Sequence, residues 1–386
     1  MDKKISLVYF ANVPLPNERA NGVQIAHTCE GLASSGVNVT LVTRRPKTET
    51  KSLSQYYHLA QSFKHIQLFT LDIPMLPFRY FFRNASFFIL TALYILIKVV
   101  GARVRGEKLV VYVRGETVLA LIPLTYIVPI FFETHQIRNY EYLYKIALRR
   151  VRGVVVITEG LKNKFVEAYG LIAQKILVAR DAVDVKKFES VTPDKNIWTE
   201  HGIAPTKKIV LYSGTLAPEK GVDTLAQAAP RVGENTQIVF LGGTDEQVTS
   251  FREKYGQVEN ISIIGRVDHV AVPKYLAGAD AFVLPDSSKY TYSNLYTSPM
   301  KLFEYMASEH PIIASNVPSL LEVLDEKTAV FFEADNHESL AEVIERILRD
   351  TEEAVRLSHN ARTRVLEFTW EKRTKAIVTH ILEQIQ

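Results

Sequence analysis

The run Leu211-Tyr212-Ser213-Gly214-Thr215-Leu216-Ala217-Pro218-Glu219-Lys220-Gly221 closes an apolar stretch with a glycine and then a Lys-Gly pair. That order suits a phosphate group. Gly214 lets backbone N–H groups approach a ligand closely. A helix beginning near Gly221 turns its N-terminus toward an anion. Lys220 stands at that entrance as a mobile point charge. The plain alternative is an ordinary strand–turn–helix with a solvated lysine. A second run, Thr297-Ser298-Pro299-Met300-Lys301-Leu302-Phe303-Glu304-Tyr305-Met306-Ala307, carries a helix signal with chemistry on it. Ser298 is placed as N-cap and Pro299 as first helical residue. Glu304 follows about a turn and a half later, and its carboxylate can accept two hydroxyls at once, as a ribose offers them. An exposed Glu with Lys301 as its i,i+3 partner is the alternative; the flanking Leu302, Phe303 and Met306 favour a packed helix.

The first half of the chain offers weaker signals. His135 follows the apolar run Pro129–Glu133, and Arg114 follows Leu109–Val113. Arg138 lies just beyond His135, and Asn21-Gly22 follows the first apolar run. Ends of strands are where α/β folds place functional groups, although a lone His or Arg there is often structural or salt-bridged. Other signatures are missing. No G-x-G-x-x-G follows the first run, no G-x-x-x-x-G-K-[ST] occurs, and no H-E-x-x-H occurs. Dinucleotide dehydrogenase, P-loop and zincin chemistry are therefore disfavoured.

Taken together, these segments resemble the retaining glycosyltransferase family 4 group, of GT-B fold. Gly214 with Lys220-Gly221, and Glu304-Tyr305-Met306-Ala307, match its two donor-site motifs. Gly265-Arg266-Val267 and Ala279–Pro285 resemble the run between them, and Asp181-Ala182-Val183-Asp184 resembles its interdomain element. Asn21-Gly22-Val23-Gln24 and Phe132-Glu133-Thr134-His135 are looser matches. The resemblance implies two Rossmann-like, doubly wound α/β domains facing across a cleft. It implies a nucleotide-diphosphate sugar donor, UDP- or GDP-linked, held by Gly214, Thr215, Lys220, Gly265, Arg266, Ser298, Met300, Lys301 and Glu304. His135 and Lys220 become the catalytic candidates, with Asn21, Gly22, Arg114 and Arg138 on the acceptor side. It implies retention of configuration and no required metal or other cofactor; no Asp-x-Asp stands at a strand end. Two positions depart from the family. Thr215 stands where Arg is common, and Tyr296 stands where an earlier Glu helps hold the sugar.

The elements that must position these residues alternate along the chain. Short apolar runs at Ile5–Phe10, Val37–Thr43, Ile66–Leu71, Leu109–Val113, Pro129–Glu133 and Val154–Thr158 are separated by helix-length segments. A second series runs through Ile209–Tyr212, Gln237–Leu241, Ile261–Ile264, Ala281–Leu284, Pro311–Ala314 and Val330–Phe332. Nearly continuous apolar strands between helices predict parallel sheets covered on both faces. The expected domains are 1–188 (acceptor), 189–368 (donor) and a helix 369–386 that crosses back to the first.

Bulk composition agrees. The chain has 386 residues, 47% of them hydrophobic, and a net charge of +4. That charge is too mild for a nucleic-acid binder. One cysteine, Cys29, fits a reducing compartment. The first residues are expected to form a strand rather than a signal peptide, which places the protein in the cytoplasm. The apolar stretch Phe87–Ile97 falls short of the ~20 residues of a membrane-spanning helix and is expected to be buried. The cluster Pro77–Arg83 ahead of it, aromatic and basic, suits the headgroup boundary of an anionic bilayer. Residues 77–105 are thus a candidate peripheral contact with the inner face of the cell membrane. The function expected is transfer of a hexosyl-type sugar to a glycan or lipid-linked acceptor in cell-surface glycan synthesis. A sugar-nucleotide epimerase of the same fold and a non-catalytic nucleotide-sugar binder are the alternatives.

Overall fold

The computed structural model describes residues 5–46, 51–72, 78–137 and 141–385. It divides into two compact units. One runs to Arg180 and includes the stretch from Trp370 onward; the other is Asp181–Thr369. The division falls at Arg180 rather than at 188. Val183 and Val185 are apolar and join the core of the second unit around Trp198, which draws that stretch into it.

In the first unit the strands are β1 (Ile5–Pro14), β2 (Asn38–Arg44), β3 (Lys64–Leu68), β4 (Lys108–Arg114), β5 (Ile130–Glu133), β6 (Gly153–Val156) and β7 (Ile176–Val178). They form a seven-stranded sheet in the order β3-β2-β1-β4-β5-β6-β7, with every pairing parallel. Leu7, Val8, Tyr9 and Phe10 of β1 are all buried, as a central parallel strand covered on both faces requires. Two expectations shift. β3 starts at Lys64 and ends before Phe69, because Thr40–Arg44 pair with Lys64–Leu68. β7 carries only three residues and gives no readable pattern in sequence.

The helix between β3 and β4 runs unbroken from Arg79 to Arg105, 27 residues. The expectation of an all-round buried helix is corrected here. Phe87, Thr91, Ile95, Val99 and Ala102 are buried on one stripe, Phe88, Leu90 and Tyr94 are half-buried beside it, and Ile89, Leu93, Leu96, Ile97, Val100 and Val104 are exposed. By length and composition alone it could also cross a membrane.

The second unit holds β8 (Lys208–Ser213), β9 (Thr236–Leu241), β10 (Ile261–Gly265), β11 (Ala281–Leu284), β12 (Ile312–Ser315) and β13 (Val330–Phe332). Their order is β10-β9-β8-β11-β12-β13, again with parallel pairings. The chain winds outward in both directions from the β8–β11 pair, so the order reverses between those two strands. In open α/β sheets ligands bind outside the carboxyl ends of the strands at such a switch point.

Candidate active site

The carboxyl ends of β8 and β11 meet at this switch point. β8 ends in Ser213-Gly214. Gly214 has φ +142, a conformation a side chain would strain. A Cβ there would stand 3.3 Å from Lys301 Nζ, so the turn passes directly beside that ammonium. Gly242, just past β9, backs the same turn; a Cβ on it would stand 2.4 Å from the Gly214 carbonyl oxygen. After Thr215, which is exposed, a short turn Pro218–Lys220 leads through left-handed Gly221 into the helix Val222–Ala228. Gly221 packs on the β11 loop, where a Cβ would overlap the Pro285 carbonyl oxygen at 1.8 Å. The Ser287 amide donates to the Glu219 carbonyl at 3.2 Å. Sheet and turn are thus joined by backbone contact, which fixes where Lys220 points.

Lys220 Nζ donates to Asp286 Oδ1 at 3.1 Å and to Thr297 Oγ1 at 3.4 Å. Ser293 Oγ donates to the same Asp286 oxygen at 2.9 Å. Asp286 is fully buried. Burial alone would lower the Lys220 pKa, but the Asp286 charge and hydrogen bond outweigh it and hold the ammonium above its ordinary range. Sequence reasoning missed Asp286. Its signal was present: a carboxylate two residues past the apolar run Ala281–Leu284, where a strand ends.

Lys301 is the other cation. Its Nζ lies 3.8 Å from the centre of the Tyr212 ring and is shut off from solvent with no hydrogen-bond partner among the described residues. Burial pushes its pKa down to about 7, with Lys220 adding to the drop and Asp286 and Glu304 opposing it. Asp286 Oδ2 is likewise buried without a partner among the described residues. Buried polar groups are as a rule paired, so these two mark a site built for something more. Glu304 lies one turn further along the helix Met300–Ala307. Its pKa is raised to about 7 by desolvation, which the Lys187 and Lys301 charges only partly offset. Its neighbour Tyr305 anchors the helix: the Ser213 amide donates to the Tyr305 hydroxyl at 2.7 Å.

The remaining donor-side candidates fall unevenly. Gly265 ends β10 with φ +85, and the Gly242 amide donates to its carbonyl at 2.6 Å. Arg266 is exposed beyond it, and Met300 is half-buried at the helix start. Ser298 is not the N-cap. The helix begins at Met300, Pro299 occupies the cap position without a side-chain bond, and Ser298 Oγ instead accepts from the Asp181 amide at 3.3 Å. Pro299 has an extended backbone, ψ 131, so the helix opens one residue later.

In the first unit, His135 sits just past β5 in a polar network. Its Nε2 is 2.9 Å from Glu133 Oε1 and 3.0 Å from Gln24 Nε2. Its Nδ1 faces an Arg114 guanidinium nitrogen at 3.4 Å. Glu133 is fully buried and also takes Arg373 Nη2 at 2.7 Å, from the helix Trp370–Ile385. Burial raises the Glu133 pKa, but Arg373, His135 and Arg114 pull it well below the ordinary carboxylate range. Sequence reasoning missed Arg373, because nothing local ties it to β5.

Gly22 is corrected from ligand approach to packing. It lies within the helix Ala20–Ser34, and a Cβ there would stand 2.3 Å from the Tyr57 hydroxyl and 2.7 Å from Asn17 Oδ1. Asn21 beside it is half-buried, with Oδ1 unpartnered among the described residues. Arg138 lies outside the described residues.

Residues 194–364, within the second unit, match the family model described as "Glycosyl transferases group 1". A GDP-mannose-dependent monoacylated alpha-(1-6)-phosphatidylinositol monomannoside mannosyltransferase of Corynebacterium glutamicum is 25% identical over 195 residues, which cover 49% of this chain and 51% of that protein. The chain spans about half to two thirds of the length of such curated relatives. Among solved structures, a Rickettsia africae glycosyltransferase superposes with TM-score 0.75 at 17% identity, covering 100% of both chains. The Anabaena protein HepE in complex with UDP-glucose gives TM-score 0.72 at 14% identity, covering 98% and 99%. At such identities these likenesses establish the fold, which is GT-B.

Proposed function

We propose that this chain, whose residues 194–364 match the glycosyl transferases group 1 model, is a retaining, metal-independent glycosyltransferase. It moves a hexosyl-type sugar from a nucleotide-diphosphate sugar to a glycan or lipid-linked acceptor in cell-surface glycan synthesis. One observation carries the reading: the buried Lys301 Nζ stands beside the Gly214 turn without a hydrogen-bond partner among the described residues, and Lys220 is held close by on Asp286. Two lysines at the switch point of a parallel sheet are a receptor for a diphosphate. The names of relatives support a nucleotide-sugar donor, GDP-mannose in one and UDP-glucose in another. The lone, buried Cys29 fits work in the reducing cytoplasm.

In the reaction the bond from the anomeric carbon to the β-phosphate oxygen breaks, and the acceptor hydroxyl oxygen bonds to that carbon. The hydroxyl proton leaves with the diphosphate. Negative charge grows on the diphosphate as the bond opens. Lys220 and Lys301, already in place, stabilise it without reorganising. Glu304 accepts from ribose hydroxyls, and Gly265-Arg266 line the base. No covalent nucleophile is assigned.

The test is a thermal-shift panel of UDP- and GDP-sugars, followed by product analysis. A bound donor at a hundred times its Kd stabilises by about 2.7 kcal/mol. Turnover with acceptor gives a glycoside of unchanged anomeric configuration. No stabilisation by any nucleotide sugar overturns the reading. Stabilisation with epimerised donor and no glycoside points to an epimerase instead.

A further inference from the structure

The helix Arg79–Arg105 carries an unpartnered outer face. Ile89, Leu93, Leu96, Ile97, Val100 and Val104 are exposed, Ile97 at 70% and Val104 at 82%. At about 100° per residue they form a stripe opposite the buried one. The opening turn adds Phe78, Tyr80, Phe81 and Phe82, all exposed. Surface helices of globular proteins turn such residues inward; this one turns them both ways. The helix contains five basic residues and no acidic one. Arg79 pairs with Asp72, and Arg105 with Glu107. Arg83 lies over the Tyr80 ring and Lys98 near the Tyr94 ring, and Arg103 is exposed.

We propose that this face docks flat on a bilayer containing anionic lipid, its apolar stripe entering the acyl boundary and its basic flanks meeting the headgroups. The charge pattern selects that occupant. Symmetric pairing with a second copy would set this patch against itself, basic flank against basic flank. The packing selects the flat orientation over a spanning one. The helix is the crossover from β3 to β4. It is tied to β1 by Asn84, which accepts from Asn12 Nδ2 at 3.3 Å, and to the loop after β3 by Ser86, which accepts from the Leu71 amide at 3.0 Å. Tyr94 packs edge-on against Phe10 of β1 with ring centres 6.2 Å apart. Crossing the membrane would tear these contacts from the first unit. The inference stands on the helix alone and holds whatever reaction the second unit serves.

The experiment is co-sedimentation of the full chain with phosphatidylcholine vesicles, with and without phosphatidylglycerol. Binding to the anionic vesicles is expected to be at least about tenfold tighter and to fall with salt. Each basic residue at the surface contributes about fivefold, so Arg103→Glu weakens binding by at least that factor. Ile97→Asp/Val104→Asp weakens it by about tenfold or more; both side chains are exposed, and circular dichroism checks that the fold is kept. Equal binding to both vesicle types overturns the proposal, as does full binding by the folded double variant. Retention through an alkaline carbonate wash shows a spanning helix instead. Dimerisation abolished by the double variant, with vesicles ignored, shows that a second copy covers the face.

Discussion

Asp286 holds Lys220 through a 3.1 Å ion pair while its second carboxylate oxygen stays buried without a partner among the described residues. The aspartate thereby aims one lysine and leaves the other, Lys301, uncommitted. A diphosphate entering beside Gly214 would meet both cations. Lys220→Ala should weaken nucleotide-sugar affinity by about tenfold or more, since a hydrogen bond to a charged group contributes about 1.5–3 kcal/mol. It should also lower the melting temperature, because it strands a buried carboxylate. Calorimetric titration of the folded variant checks this, and undiminished affinity removes Lys220 from the site.

Donor binding should peak near pH 7. Lys301 and Glu304 both have pKa values moved to about 7. Binding requires Lys301 protonated, which favours lower pH, and Glu304 ionised, which favours higher pH. Lys301→Met should flatten the alkaline side of the profile and Glu304→Gln the acid side. A flat profile in the parent protein refutes the pairing.

The same two groups make the ligand-free protein least stable near pH 7. Glu304 has its folded pKa raised, so the folded state holds the extra proton between about 4.5 and 7, and stability falls as pH rises through that window. Lys301 has its folded pKa lowered, so the unfolded state holds the extra proton between about 7 and 10.5, and stability rises with pH there. Thermal melts across pH should show the dip, and Glu304→Gln/Lys301→Met should shrink it.

Arg373→Met should destabilise the first unit by about 3–5 kcal/mol, the usual cost of removing one partner from a buried ion pair. Glu133 and Arg373 are both buried, so water cannot replace the lost charge. Glu133→Gln/Arg373→Met should recover part of the loss. Urea melts measure both, and an unchanged midpoint for the single variant counts against the pair.

His135→Ala should lower turnover more than donor affinity, because His135 lies in the first unit and the lysines lie in the second. Activity should also survive EDTA. An unchanged kcat returns His135 to a structural role, and loss of turnover restored by Mn²⁺ refutes the metal-independent reading.

The sequence by itself determined the alternation of strands and helices, because apolar runs of strand length between helical periods have few ways to bury both faces. It also determined the turn that follows β8. Gly214, Lys220 and Gly221 sit within one strand–turn–helix, so their chemistry is local and legible. The helix Met300–Ala307 was legible for the same reason, apart from its exact start at Pro299. Only the tertiary structure decided the rest. Asp286 reaches Lys220 from 66 residues away, and Arg373 reaches Glu133 from 240. Such pairs exist because strands, helices and turns distant in sequence lie side by side in the fold, and no periodicity records which of them will meet. Gly22 shows the reverse error: its place in the chain suggested ligand approach, and only the position of Tyr57 revealed packing. The helix Arg79–Arg105 shows the same limit. Its composition is apolar all round, and which side is covered depends on the sheet beneath it, which is a property of the fold and not of the helix.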